Sequence, residues 1–314
     1  MSTQSTRRTL LQSGAVAAAA SLGACAADSG ASKEPEWSKA VNGRIKHSVC
    51  LWCFSVPEWG WDLEKLCGEA AALGMKSVEL LNPEQWATAK KHGLSCAIAN
   101  NGMADPPFMK GLNNPRYQQT VIDTTKKTID ACAADDIPST IAFTGFKWND
   151  AEDPSSGEIS REEGFEHTVA GLKELATYAE EKGVTVNLEM LNTRDGSHPM
   201  KGHPGFQGDD IDYCADMIRE VNSPRVKLLF DIYHVQIMNG DVIRRIHEMK
   251  DLIGHIHTAG NPGRAELHFN SEINYPAIME ALVEVGYDGY VGHEFIPTQT
   301  PEEGLAAAVK LCDV

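Results

Sequence analysis

A chain of 314 residues with 42% hydrophobic side chains has room for one large α/β domain and an appendage. Its 44 acidic residues outweigh 28 basic ones for a net charge of −16, and without a basic cluster the chain lacks the electrostatic footprint that supplies most nucleic-acid affinity, so no nucleic-acid partner is expected. Of eight cysteines, seven remain once Cys25 is set aside, and an odd number scattered through strand-like and helical runs is not a disulfide framework.

Residues 1–25 have the marks of an export signal. Thr6-Arg7-Arg8-Thr9-Leu10-Leu11 is a twin-arginine pattern, and the apolar stretch from Ala15 to Leu22 is too short to span a bilayer. Leu22-Gly-Ala-Cys25 resembles a bacterial lipobox, in which the cysteine is acylated and becomes the new amino terminus; ordinary cleavage with Cys25 incidental is the alternative. The expected location is the periplasm, reached by the twin-arginine route, with a lipid anchor as the sole membrane contact. Residues 26–43 are small, polar and without period, a flexible linker. Residues 44–314 are expected to form the folded domain.

From Arg44 onward short β-branched runs alternate with helical patterns. The strand candidates are 47–52, 77–81, 94–99, 139–144, 184–190, 226–232, 254–258 and 290–295. The helical candidates are 63–73, 83–91, 115–133, 161–181, 211–221, 240–250, 275–285 and 301–311. Eight of each in strict alternation predict an α/β fold, a single (β/α)8 TIM barrel. Gly74, Gly183 and Gly286 stand just past helical patterns, where a left-handed residue ends the last turn. Cys50-Leu-Trp-Cys53 has CxxC spacing but sits in an apolar run without a second pair, so buried thiols are expected. Residues 192–207 form a long polar excursion expected to lie over the site, with Asp195, Lys201 and His203 as secondary candidates.

Four potential metal ligands, Glu189, Asp231, His257 and Glu294, end four consecutive strand candidates, so the topology carries them to the carboxyl-terminal mouth. Singly, each carboxylate fits a solvent-facing strand end and the histidine fits a hydrogen-bonded core residue; together they point to coordination. Carboxylates plus one imidazole suit one divalent cation, Mn or Mg foremost, with Co or Zn accommodated. Strand alternation puts His255 beneath His257 on the same face and turns His293 away from Glu294.

The run from Asp231 to Asp241, the segment from Gly254 to Arg264, and Glu272-Ile-Asn-Tyr-Pro276 with Gly286-Tyr-Asp-Gly-Tyr290 resemble the hydroxypyruvate isomerase family of the xylose-isomerase-like barrels, whose relatives include sugar 3-epimerases. The resemblance covers residues 44–314 and implies Glu189, Asp231, His257 and Glu294 as metal ligands. It also implies Glu189 and Glu294 as the catalytic acid and base, and His234 and Arg264 as substrate contacts. Some isomerases carry glutamine where this chain has His257, and histidine there is also the epimerase choice. The implied reaction interconverts an aldose and ketose, or a hydroxypyruvate and tartronate-semialdehyde type of pair, by proton transfer through an enediolate; epimerisation is the alternative. A surface ion pair with Glu266 is the structural alternative for Arg264. A small sugar or keto acid is the expected partner, and self-association into a homo-oligomer is left open. Two further classes are a metal-dependent endonuclease, which the acidic charge opposes, and a non-catalytic sugar-binding lipoprotein, which needs no base on each face of its ligand.

Overall fold

The structure, a computed structural model, describes residues 39–314; the twin-arginine pattern, the lipobox-like segment with Cys25 and most of the 26–43 linker lie outside the described residues. In chain order it contains β1 (Lys46–Cys50), α1 (Leu51–Phe54), α2 (Leu63–Ala72), β2 (Ser77–Glu79), a short 3-10 turn (Pro83–Gln85), α3 (Trp86–Lys91), α4 (Pro115–Ala134), β3 (Ser139–Phe143), β4 (Trp148–Asp150), β5 (Asp153–Glu158) and α5 (Arg161–Lys182). There follow β6 (Thr185–Glu189), α6 (Ile211–Val221), β7 (Val226–Asp231), α7 (Ile232–Met238), α8 (Val242–Met249), β8 (Ile253–Thr258), α9 (Tyr275–Glu284), β9 (Tyr290–His293) and α10 (Pro301–Cys312).

Seven parallel strands pair in the order β2-β1-β9-β8-β7-β6-β3. The expected strand at 94–99 fills the eighth place as an irregular stave, bridging Ser77 to Ser95 and Leu81 to Ala99 on one side and Ala99 to Thr140 on the other. Its irregularity has a local cause. Leu80 has φ +55°, which kinks the partner strand, and two hydroxyls replace ladder groups: the Ala97 N–H donates to Ser77 Oγ (2.7 Å) and Ser139 Oγ donates to the Ala97 carbonyl (2.9 Å). The sheet still closes, and the chain folds as the (β/α)8 barrel the alternation predicts.

Helix ends follow their capping residues. Ser160 and Glu163 form a reciprocal capping box at the start of α5, and Gly183 closes its other end at φ +73°. The described part of the linker is tied to the barrel: the Val41 N–H donates to Asp313 Oδ2 (2.8 Å), and Arg44 Nε donates to the Val314 carbonyl (2.7 Å). No helix among the described residues is long and apolar enough to cross a membrane.

The barrel interior is divided. Ile98, Ile141, Phe143, Leu191, Phe206 and Leu229 pack together on one side, while Glu79, His255 and His257 are buried on the other. The main apolar core, with Val49, Val78, Val186, Leu228 and Ile256, contains the alternate strand positions and the packed helix faces. The seven described cysteines are buried and free, Cys50 and Cys53 included.

Two short helices and a hairpin were not legible as separate elements. α1 and α7 each begin on the residue after a strand, so the expected strands 47–52 and 226–232 end early, at Cys50 and Asp231. The β4–β5 hairpin braces the long loop after β6, because Trp148 packs where Gly205 leaves no side chain.

Candidate active site

Glu189 and Asp231 are the last residues of β6 and β7, His257 lies one residue from the end of β8, and Glu294 directly follows β9. A parallel barrel delivers all four to one mouth, and one ligand atom from each lies within 4.8 Å of the others. All four are almost fully buried, with exposures of 4%, 1%, 0% and 4%.

Two of these atoms, Glu189 Oε1 and His257 Nδ1, have no hydrogen-bond partner. Nδ1 nonetheless lies 3.0 Å from Glu294 Oε2 and 3.5 Å from Glu189 Oε1. Close approach without hydrogen-bond direction means that these groups are arranged around a common point rather than aimed at each other. Unpartnered buried polar atoms cost free energy, so the arrangement fits a cation that all four residues share. Three carboxylates and an imidazole provide a hard, mixed oxygen and nitrogen donor set that can hold a metal ion.

The two glutamates differ in their surroundings. Burial, helped by the charges of Glu294 and Asp231, pushes Glu189 up to about 7 despite the opposing pull of His257. Burial likewise pushes Asp231 up to about 6 against the pull of Arg264. Burial also acts to raise Glu294, but His257 and Arg264 outweigh it and hold that carboxyl at about 2. Arg264 Nη2 donates to Glu294 Oε2 at 2.6 Å and Trp52 Nε1 donates to Oε1 at 2.8 Å, so Glu294 is pinned at both oxygens.

Arg264, 3% exposed, does not pair with Glu266. Glu266 instead accepts from the Thr298 and Gln299 N–H groups (2.7 and 2.9 Å) and from Thr298 Oγ1 (2.8 Å). The guanidinium turns inward, 3.8 Å from Asp231 Oδ2 and 3.1 Å from His234 Nε2. It therefore organises the carboxylates directly.

His234 is fixed by α7, whose N-cap is Asp231: Asp231 Oδ1 accepts from the His234 N–H at 3.1 Å, leaving Oδ2 for the site. The Asn192 N–H, which can only donate, points at His234 Nδ1 at 3.2 Å. Arg264 Nη1, which can also only donate, stands 3.1 Å from Nε2, so donors face both ring nitrogens; Nε2 lies 3.6 Å from Asp231 Oδ2. Burial and the Arg264 charge hold this ring well below the usual histidine range, so it is neutral.

His255 lies beneath His257 with ring centroids 5.1 Å apart, and His293 faces outward, its Nδ1 2.9 Å from Thr258 Oγ1 and its Nε2 3.1 Å from His47 Nδ1. From the long loop, His203 meets the Phe108 ring edge-on at 4.3 Å and stands 5.9 Å from the His234 ring. Lys201 lies over the Trp52 ring at 5.7 Å, on the outer side of the site. Asp195 turns back on its own loop, accepting from the Ser197 N–H at 2.9 Å.

Sequence reasoning missed Trp52, hidden in an apolar run read as strand, and Glu79. Glu79 ends β2, is fully buried, and accepts from His257 Nε2 at 2.8 Å and His255 Nε2 at 3.0 Å. Its signal was available: a carboxylate at the end of a strand-like run, as for Glu189.

Comparison with known proteins agrees with this architecture. A 2-oxo-tetronate isomerase from Cupriavidus necator is 38% identical over 130 residues, 41% of this chain and 47% of that protein. A hydroxypyruvate isomerase from Escherichia coli is 35% identical over 102 residues, 32% of this chain and 39% of that protein. The chain thus spans less than half the length of these curated relatives. The crystal structure of an E. coli 3-keto-D-glucoside 4-epimerase superposes with a TM-score of 0.66 at 19% identity, covering 85% of this chain and 97% of that one, a likeness of fold. The family profile described as xylose isomerase-like TIM barrel matches residues 67–313, almost the whole folded domain, and the chain belongs to that family.

Proposed function

We propose that this chain is a metal-dependent isomerase that moves a proton between adjacent carbons of a small hydroxycarbonyl compound, a sugar or a keto acid of the hydroxypyruvate type. The observation that carries the reading is the contrast between two glutamates at one four-residue ligand cluster: Glu294 pinned by Arg264 and Trp52, Glu189 with an unpartnered oxygen. The relatives named as hydroxypyruvate and 2-oxo-tetronate isomerases support the reaction class. One divalent ion, manganese(II) or magnesium(II) foremost and cobalt(II) or zinc(II) also compatible with the donors, supplies positive charge at the substrate's carbonyl oxygen when bound.

Glu189 takes the proton from the carbon beside the carbonyl: no hydrogen bond ties its carboxylate, so with Oε1 turned to the cation its other oxygen is free to reach that carbon. His234 contacts the oxygen on which charge builds, and its neutrality avoids a second buried cation beside Arg264. Arg264 and Trp52 keep Glu294 ionised and stationary. The buried mouth excludes water from the enediolate.

Proton return decides the product. Return by Glu189 to the neighbouring carbon gives isomerisation. Delivery from Glu294 to the opposite face would give epimerisation, but a carboxylate held at about 2 between two donors is a poor proton source. The asymmetry therefore favours the isomerase over the epimerase. An endonuclease reading lacks a basic groove, given the net charge of −16.

The test is incubation of the manganese-loaded chain in D2O with hydroxypyruvate and a panel of small ketoses and aldoses. Deuterium beside the carbonyl of an isomerised product, lost in Glu189→Gln, is the expected result. Inversion of a centre without isomerisation would establish the epimerase instead, and no exchange with any compound would overturn the proton-transfer reading.

A further inference from the structure

We infer that Glu79 is a positioning residue for the metal site: by accepting the Nε2 proton of His257 it orients that ring, leaves Nδ1 as the nitrogen turned to the carboxylates, and fixes the tautomer of the ring once Nδ1 gives its proton up to a cation. The inference rests on the four-ligand reading and extends it to a residue three strands away in the sheet order β2-β1-β9-β8.

The geometry is specific. Glu79 Oε1 lies 2.8 Å from His257 Nε2, 3.0 Å from His255 Nε2 and 3.5 Å from Cys50 Sγ, while Oε2 is buried without a partner. One oxygen thus collects every contact, and all of them come from groups able to donate a proton. A carboxylate in a dry interior is costly unless paired and hydrogen-bonded. Two imidazole N–H groups supply that pairing, which requires the His257 proton on Nε2. A histidine whose far nitrogen is held by a carboxylate is oriented, confined to one tautomer and made a better donor of its remaining lone pair.

The barrel makes room for this reach at a single position. Gly292 on β9 is the register partner of His257, and a Cβ there would collide with Glu79 Oε1 and crowd the His257 ring. Any other residue at 292 would displace the carboxylate from its seat. His255, one layer down on the same face of β8, supplies the second donor and prevents Glu79 from rotating away.

A second cation between Glu79, His255 and His257 is the competing arrangement, since their ligand atoms also converge. The 2.8 and 3.0 Å separations are ordinary hydrogen-bond lengths with a proton between the atoms. Two ions would also require His257 to bind through both nitrogens, and its Nε2 is already committed.

The experiment uses the full chain and manganese(II), with Glu79→Gln and Gly292→Ala beside the parent. Free manganese is read by electron paramagnetic resonance, and the His257 tautomer by nitrogen-15 NMR of the magnesium-loaded protein. The parent is expected to bind one ion with its His257 proton on Nε2. Glu79→Gln keeps an acceptor but loses the charge, so manganese should bind about 10–100-fold more weakly at unchanged stoichiometry. Gly292→Ala keeps every ligand and every charge, and should weaken binding similarly by displacing Glu79. Unchanged affinity and tautomer in both variants, with only thermal stability lowered, would reduce Glu79 to a structural role and overturn the inference. Two bound ions in the parent would overturn it in favour of the second-cation arrangement. A parent that binds no manganese would remove the four-ligand reading itself, a failure distinct from parent-like binding by the variants.

Discussion

Metal binding at this site should expel protons, and their number follows from the electrostatics of the mouth. Glu189 at about 7 and Asp231 at about 6 both lie above their ordinary values, so in the metal-free protein a proton competes with a cation for each. At pH 6.5 the first is about three-quarters protonated and the second about one-quarter, together about one proton to be released. Burial opposes protonation of His257, but Glu294, Cys50 and Glu189 outweigh it and raise that ring well above the usual range, so Nδ1 sheds a second proton. Glu294 at about 2 contributes none in this range. The sign is fixed: affinity falls as pH drops through the two raised carboxylate values, and above them it still rises with pH until His257 also gives up its proton. Between pH 8 and pH 5 the two carboxylates alone weaken binding by about 10³-fold, with His257 adding to the slope. Calorimetric titration of manganese(II) in two buffers of different ionisation enthalpy should count about two protons at pH 6.5. Release of less than half a proton, with affinity flat from pH 5 to 8, would show that the four residues do not share the ion.

Glu189→Gln should abolish turnover and leave the metal-free protein at least as stable as the parent, because it removes a charge that the site repels; a near-parental kcat would sink Glu189 as the base. Glu294→Gln should lower stability by about 3–5 kcal/mol, since it strands Arg264 in a buried site, and equal melting temperatures for the two variants would contradict the pinned and free roles. Asp231→Asn should lose most manganese yet keep the fold, because asparagine still caps α7, whereas Asp231→Ala should lose a further ~1 kcal/mol with the cap; manganese affinity and chemical denaturation measure the two effects separately. We also propose twin-arginine export to a lipid-anchored periplasmic location: replacing Arg7-Arg8 with two lysines should retain the protein in the cytoplasm, and Cys25→Ala should release it from membranes on fractionation.

The four mouth residues were legible because each follows from one strand's own pattern: a β-branched run, then a carboxylate or histidine at its end. Glu79 satisfies the same pattern at the end of β2, but its role depends on a histidine 178 residues away, and nothing local to either announces the pairing. α7 was hidden for a different reason. The apolar run from Val226 to Met238 has no glycine or proline to punctuate it, and Asp231 alone ends the strand and caps the helix. The β4–β5 hairpin is mostly exposed and polar, so it shows none of the alternation that marks a half-buried strand.

The divided interior shows what this site costs the barrel. One side is filled by Ile98, Ile141, Phe143, Leu191, Phe206 and Leu229, as an interior built for stability alone would be. The other side buries four carboxylates, Glu79, Glu189, Asp231 and Glu294, with Arg264 as the arginine among them. Replacing buried ionic groups with well-packed apolar ones is often neutral or stabilising, so stability gives no reason to keep this set. The contacts supply two reasons of different kinds. Glu79, held at one oxygen by two imidazoles, and Glu294, held at both, define the frame, whereas Glu189 and Asp231 are raised and have no fixed cation of their own to settle them. On the proposed function, the frame holds its charge through folding and the unsettled pair is what a cation would be drawn to. On that proposal, the same division assigns chemistry: of the two glutamates at the mouth, Glu189, the one no donor pins, is the one free to carry the proton.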